Sequence, residues 1–130
     1  MELMLLLEKN MKTYVFDIDG TICTIADGNY VNAKPFQDRI KIINFLYDSG
    51  HCIIFNTARG MGRYNNNFDQ AYLNFYEITK CQLQTWGVKY HQLFMGKPAG
   101  DIYVDDKSCH DLTWFSLATN LIGDKSNGTK

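Results

Sequence analysis

Three short apolar runs constrain this chain most, because each ends at once in a small polar cluster. Tyr14-Val15-Phe16 leads into Asp17-Ile18-Asp19-Gly20-Thr21, Ile53-Ile54-Phe55 into Asn56-Thr57-Ala58-Arg59-Gly60, and Ile102-Tyr103-Val104 into Asp105-Asp106-Lys107. Uninterrupted apolar runs of this kind fit strands of a parallel sheet covered on both faces. In an open α/β sheet the ligand crevice lies beyond the carboxyl ends of the strands. The three clusters are therefore expected to meet at one end of one sheet, bringing carboxylates, a hydroxyl and cations together.

The rest of the sequence has to fit inside narrow bounds. A chain of 130 residues holds one domain with one core, and 45% hydrophobic residues suffice to fill it. A formal net charge of -1 gives no basic field, so nucleic acid is not an expected bulk partner. Cys23, Cys52, Cys81 and Cys109 contain no Cys-x-x-Cys pair, which fits reduced thiols in a cytoplasmic protein better than a zinc knuckle or a disulfide framework. Leu3 to Leu7 are apolar but flanked by Glu2 and Glu8 and too short for a secretion signal or a membrane span. We read residues 1–12 as an N-terminal extension, with Met11 a second plausible start, 13–122 as a single catalytic domain, and 123–130 as a polar tail.

Between those ends strand and helix alternate. Thr13 to Ile18 reads as the first strand, and residues 22–34 as a turn-rich flap carrying Asp27-Gly28-Asn29. Pro35 opens a helix with Phe36, Ile40, Ile43 and Tyr47 inward, stopped by Ser49-Gly50. Cys52 to Phe55 is the second strand. A second helix, from Asp69 to Trp86, is expected to turn Ala71, Phe75, Ile78, Leu83 and Trp86 inward and to end at Gly87. Tyr90 to Met95 and Ile102 to Val104 follow as strands three and four, and His110 to Leu117 as a final helix. The expected fold class is α/β, Rossmann-like, with three α/β/α layers, a mainly parallel sheet and right-handed crossovers.

Asp17 and Asp19 stand two apart, so both can address one crevice at the strand tip. Magnesium favours such oxygen ligands, and a carboxylate beside it can attack phosphorus. A polar turn closing a strand would use the same residues. Thr57 and the backbone N–H groups beside it, through Ala58, can hold a phosphoryl oxygen, and Arg59 can add a charge-assisted contact. Lys97, in Gly96-Lys97-Pro98, offers a point charge for nucleophile and phosphoryl group together. Asp105 and Asp106 are adjacent like charges whose repulsion a cation would offset. His51, His91 and His110 lack metal-ligand spacing and read as edge histidines, while Trp86 and Trp114 read as core or interface anchors.

Taken together, these clusters make the chain resemble the haloacid dehalogenase superfamily of Asp-nucleophile phosphohydrolases. Asp17-Ile18-Asp19-Gly20-Thr21 matches its first motif, Thr57 its Ser/Thr motif, Lys97 its Lys motif, and Asp101 to Asp106 its acidic motif. The resemblance implies that Asp17 is the nucleophile and Asp19 the general acid/base, and that Thr57 and Lys97 bind the phosphoryl group. It also implies Mg2+ held by Asp17, the backbone carbonyl of Asp19 and the Asp105–Asp106 pair, with Asp106 the direct ligand. An acid at Asp19 points to phosphatases rather than dehalogenases within that superfamily.

Short intervals after the first and second motifs resemble the capless members, whose open sites take large substrates or are covered by a partner subunit. The implied substrate is a small phosphorylated metabolite such as a sugar phosphate. Phosphoprotein or nucleic-acid ends, and a non-catalytic phospho-acceptor or binding module, are the alternatives. Arg63-Tyr64-Asn65-Asn66-Asn67 and the flap at Asn29-Tyr30 are candidate substrate-facing surfaces, and Tyr72, Tyr76 and Trp114 candidate contacts in a homo-oligomer covering the site.

Overall fold

A computed structural model describes residues 11–128. The extension up to residue 10, and the last two residues of the expected tail, lie outside the described residues. The chain forms two compact units, one ending at Ala99 and one beginning at Gly100.

The first unit carries a three-stranded parallel sheet in the order β1-β2-β3, formed by Thr13–Phe16, Cys52–Thr57 and Gln92–Met95. This is the parallel α/β arrangement that the sequence predicts. The helices between strands are α1, Gln37–Asp48, and α2, Phe68–Thr85; α1 packs on β2 and α2 on β3. With sequential strand order and right-handed crossovers, both helices fall on one sheet face. The register identifies it: Phe16 stands beside Phe55, and Thr57 beside Met95, all of them buried. Residues two apart share a face, so Ile53, Phe55 and Thr57 line the core while Val15 and Phe94 point the other way, 60% and 50% exposed.

Two features of α2 depart from the expected pattern. Its buried positions are Ala71, Phe75, Thr79 and Leu83, a straight four-residue spacing, whereas Ile78 is 37% exposed. Thr79 was not among the expected inward positions; its buried hydroxyl needs a partner, and the fold supplies one, described below. Asn67 caps the helix, its side chain accepting from the N–H of Gln70 at 3.1 Å.

The expected flap is present. The N–H of Phe36 donates to Ile22 O at 2.8 Å and that of Thr24 to Lys34 O at 2.9 Å, closing its base, while Asp27 and Gly28 turn its tip at positive φ. A single 3-10 turn, Tyr30–Asn32, lies on the returning arm.

In the second unit the expected fourth strand is absent. Residues 102–104 have no strand pairing, and Ile102 and Val104 are 82% and 95% exposed. The last helix, α3, is longer than expected, running over Asp111–Gly128 rather than stopping near Leu117. No helix among the described residues is long and apolar enough to cross a membrane.

Candidate active site

β1 ends at Phe16, and the next residues turn within one short step. The N–H of Thr21 and of Ile22 both donate to Ile18 O, and Gly20 sits at φ 83, where a side chain is strained and a Cβ would press on Ile25 at 3.2 Å. This turn places Asp17 at the mouth and drives Ile18 into the core, fully buried. Asp17 accepts the Ile18 N–H at 2.8 Å on Oδ1, and its Oδ2 lies 3.8 Å from Lys97 Nζ. Burial pushes the Asp17 carboxyl above the usual range, and the Lys97 ammonium pulls the other way.

Lys97 reaches this place because the β2–β3 ladder continues past the strand: its N–H donates to Thr57 O at 3.1 Å. Thr57 is fully buried, and its Oγ1 accepts the Arg59 N–H at 3.2 Å, tightening the turn after β2. A hydroxyl that accepts in this way still has its own proton to donate. Ala58 is half-buried in the same turn, its carbonyl accepting from Met61 N–H. Asp17, Thr57, Ala58 and Lys97 are thus all set at the tips of adjacent strands.

Arg59 differs from expectation. Its guanidinium does not reach outward for a phosphoryl group but folds into the protein, with only 1% of the residue exposed. It makes a fork onto Asp19, Nε to Oδ2 at 2.9 Å and Nη2 to Oδ1 at 3.0 Å. Nη1 donates to Thr79 Oγ1 at 3.2 Å and Gln82 Oε1 at 2.6 Å, and the Tyr30 ring covers the plane at 4.7 Å. Tyr30, expected to face substrate, is likewise turned inward: its hydroxyl accepts the Gly60 N–H at 2.8 Å and its ring meets Phe75 edge-on. Gly60 allows this closeness, since a Cβ there would stand 2.6 Å from the Phe75 ring. Thr79 and Gln82 were missed in the sequence; the available signal was a polar Thr79 in the Ala71-Phe75-Leu83 stripe.

The rest of the loop after β2 is pinned too. Arg63 donates to Gly28 O at 2.9 Å and lies over the Phe75 ring, and Asn66 Oδ1 accepts the Ala99 N–H at 2.8 Å. A cleft of about 430 Å³ lies here, lined by Asp27, Asn29, Tyr30 and Arg63 among others.

Asp105 and Asp106 belong to the second unit. Asp105 Oδ1 accepts the Lys107 N–H at 3.0 Å, and that bond holds its carboxyl below the usual range. Among the described residues there is no group of three or more His, Cys, Asp or Glu that could hold a metal ion. The donors of the first unit that suit a hard cation are the Asp17 carboxylate and the Asp19 backbone carbonyl, both oxygens.

Three smaller expectations can be placed. His51 and His91 sit at strand edges, their Nδ1 atoms accepting backbone N–H groups of Lys12 and Ile53 at 3.0 Å each. All four thiols are unlinked, Cys23 buried and Cys81 and Cys109 exposed. Tyr72 and Tyr76 stack on each other at 4.6 Å, with Tyr72 44% exposed.

No protein-family model matches the sequence, and no curated protein matches it. Among solved structures the chain is similar to a target protein from Vibrio cholerae, with 26% identity and a TM-score of 0.77 over 92% of this chain and 100% of that one. It is also similar, at 16% identity and a TM-score of 0.49, to a D,D-heptose 1,7-bisphosphate phosphatase from B. bronchiseptica complexed with magnesium and phosphate, over 77% of this chain and 56% of that one. The first likeness supports the fold; the second is too slight to bear on chemistry.

Proposed function

We propose that this chain is a capless phosphatase of the haloacid dehalogenase type, a magnesium-dependent hydrolase of small phosphomonoesters such as sugar phosphates. The observation that carries the reading is Lys97 Nζ at 3.8 Å from Asp17 Oδ2, with Thr57 hydrogen-bonded to the Lys97 backbone beside them. A half-buried carboxylate next to an ammonium and a hydroxyl donor is what in-line attack on phosphorus needs.

In this mechanism Asp17 attacks the phosphorus and the alcohol leaves with a proton from Asp19. Asp19 then takes a proton from water, which cleaves the aspartyl-phosphate and frees inorganic phosphate. Lys97 balances negative charge on Asp17 and the phosphoryl oxygens, and Thr57 donates to one of them. Magnesium, held by Asp17 and the Asp19 carbonyl, would supply further charge neutralisation at the phosphoryl group. Asp105 and Asp106 complete that ligand set in this proposal.

The test is a phosphometabolite panel with phosphopeptides and phosphorylated oligonucleotides alongside, assayed in magnesium and in EDTA. Hydrolysis of small phosphates that needs magnesium, and a fall of about a thousandfold or more in Asp17→Asn, are expected. The ion should also raise Tm by mass action, a readout independent of turnover. Full activity in EDTA, or in Asp17→Asn, would remove the covalent mechanism.

A further inference from the structure

The guanidinium of Arg59 is the most completely committed group in the first unit, and nothing in the proposed chemistry uses it. Its five N–H bonds all have acceptors: Nε and one Nη2 proton on Asp19, the other Nη2 proton toward Cys23 Sγ at 3.9 Å, and the Nη1 pair on Thr79 and Gln82. A planar group held at five points beneath the Tyr30 ring cannot swing, so neither can a carboxylate forked to it. Asp17, two residues earlier, has no such clamp: its Lys97 contact is longer and nearer solvent.

We infer that Arg59 is a positioning residue for Asp19, fixing the side-chain angle from which that carboxylate gives and takes its proton; the inference rests on the phosphatase reading. The geometry suits the task. The fork takes one lone pair on each oxygen and the Cys23 thiol approaches Oδ1 at 3.5 Å, which leaves the second lone pair of Oδ2 to serve the reaction. Gln82 extends the clamp to the flap, since its Nε2 donates to Tyr30 O at 2.6 Å while its Oε1 accepts from Arg59. Carboxylate, guanidinium, α2 and flap therefore form one pedestal. An acid displaced by about 1 Å from its target oxygen loses on the order of a hundredfold in rate, so a clamp of this kind bears directly on turnover.

Arg59→Lys tests this, because lysine keeps the charge and cannot make the fork. On an alkyl phosphomonoester kcat should fall about a hundredfold with KM changed less than about threefold, while p-nitrophenyl phosphate, whose leaving group needs no proton, should lose about tenfold or less. Gln82→Leu should show the same split, smaller, and decides the matter if Arg59→Lys does not fold. Leu83→Ala, a core truncation on the same helix, should lower Tm without the split. Equal losses on the two substrates in both Arg59→Lys and Gln82→Leu would overturn the inference. So would a crystal structure of either variant with the Asp19 carboxylate in its original orientation, even if the wild-type chain hydrolyses no phosphate at all. That last result alone would overturn the phosphatase reading and leave the orientation measurement to judge Arg59.

Discussion

Two segments with nearly the same local sequence meet opposite fates here. Val15-Phe16-Asp17 closes a paired strand, with Phe16 7% exposed, whereas Tyr103-Val104-Asp105 lies in an unpaired, solvent-facing stretch with Val104 95% exposed. Residues of the first pair with β2 in a continuous register from Thr13 to Phe16. The second has no strand partner among the described residues. Three apolar residues and an aspartate therefore do not specify a strand; a neighbouring strand and a covering helix do.

The widest gap between the two segments should appear in stability. Phe16→Ala removes a buried ring from the sheet core and should cost about 3 kcal/mol or more, whereas Val104→Ala should stay within about 0.5 kcal/mol. Urea unfolding of both variants measures it, and a Val104→Ala loss as large as that of Phe16→Ala would mean that the second segment is buried in solution.

Thiol labelling gives a next, kinetic contrast. Burial, with Asp19 adding to it, pushes Cys23 up to about 12, so at pH 8 only on the order of one thiol in ten thousand is ionised. Cys81 and Cys109 are exposed and should be alkylated by iodoacetamide at least about a hundredfold faster, as read by peptide mass spectrometry. Comparable rates would show the turn after β1 to be open.

The smallest effect is in acid titration. Asp17 is raised by burial and Asp105 lowered by the Lys107 N–H, so carbon-detected titration in EDTA should place their midpoints above and below an ordinary aspartate. The signs differ for stability as well. What Asp17 contributes is present below its unfolded pKa and lost as pH rises through its folded one; what Asp105 contributes is present above its unfolded pKa and lost as pH falls through its folded one. Midpoints in the reverse order would break the assignment of both environments.

These contrasts also mark what was readable in the sequence. The three sheet strands, the two crossover helices and the flap were legible because apolar period, Gly50, Gly87 and the Asp27-Gly28 turn all agreed. The tip positions of Asp17, Thr57 and Lys97 followed from the strand ends. Arg59 was not legible, since an arginine two residues after a phosphate-type threonine looks like another anion ligand until Thr79 and Gln82 are known to face it from α2. Nor was the length of α3, because the polar, glycine-containing residues near its end read as a tail.

The flap described earlier also has a use in engineering. Its two arms are stitched together at Thr24–Lys34 and Ile22–Phe36, and its return is latched to Gly60 by Tyr30, while the Asp27–Gly28 bend between them faces outward. A foreign module grafted at that bend would start and finish at two chain ends already held side by side, and lengthening such a loop costs only about 0.6 kcal/mol per doubling. The pairs at Thr24–Lys34 and Ile22–Phe36 lie between that bend and the turn that carries Asp17 and Asp19. A new surface could thus be given to this fold by changing one bend.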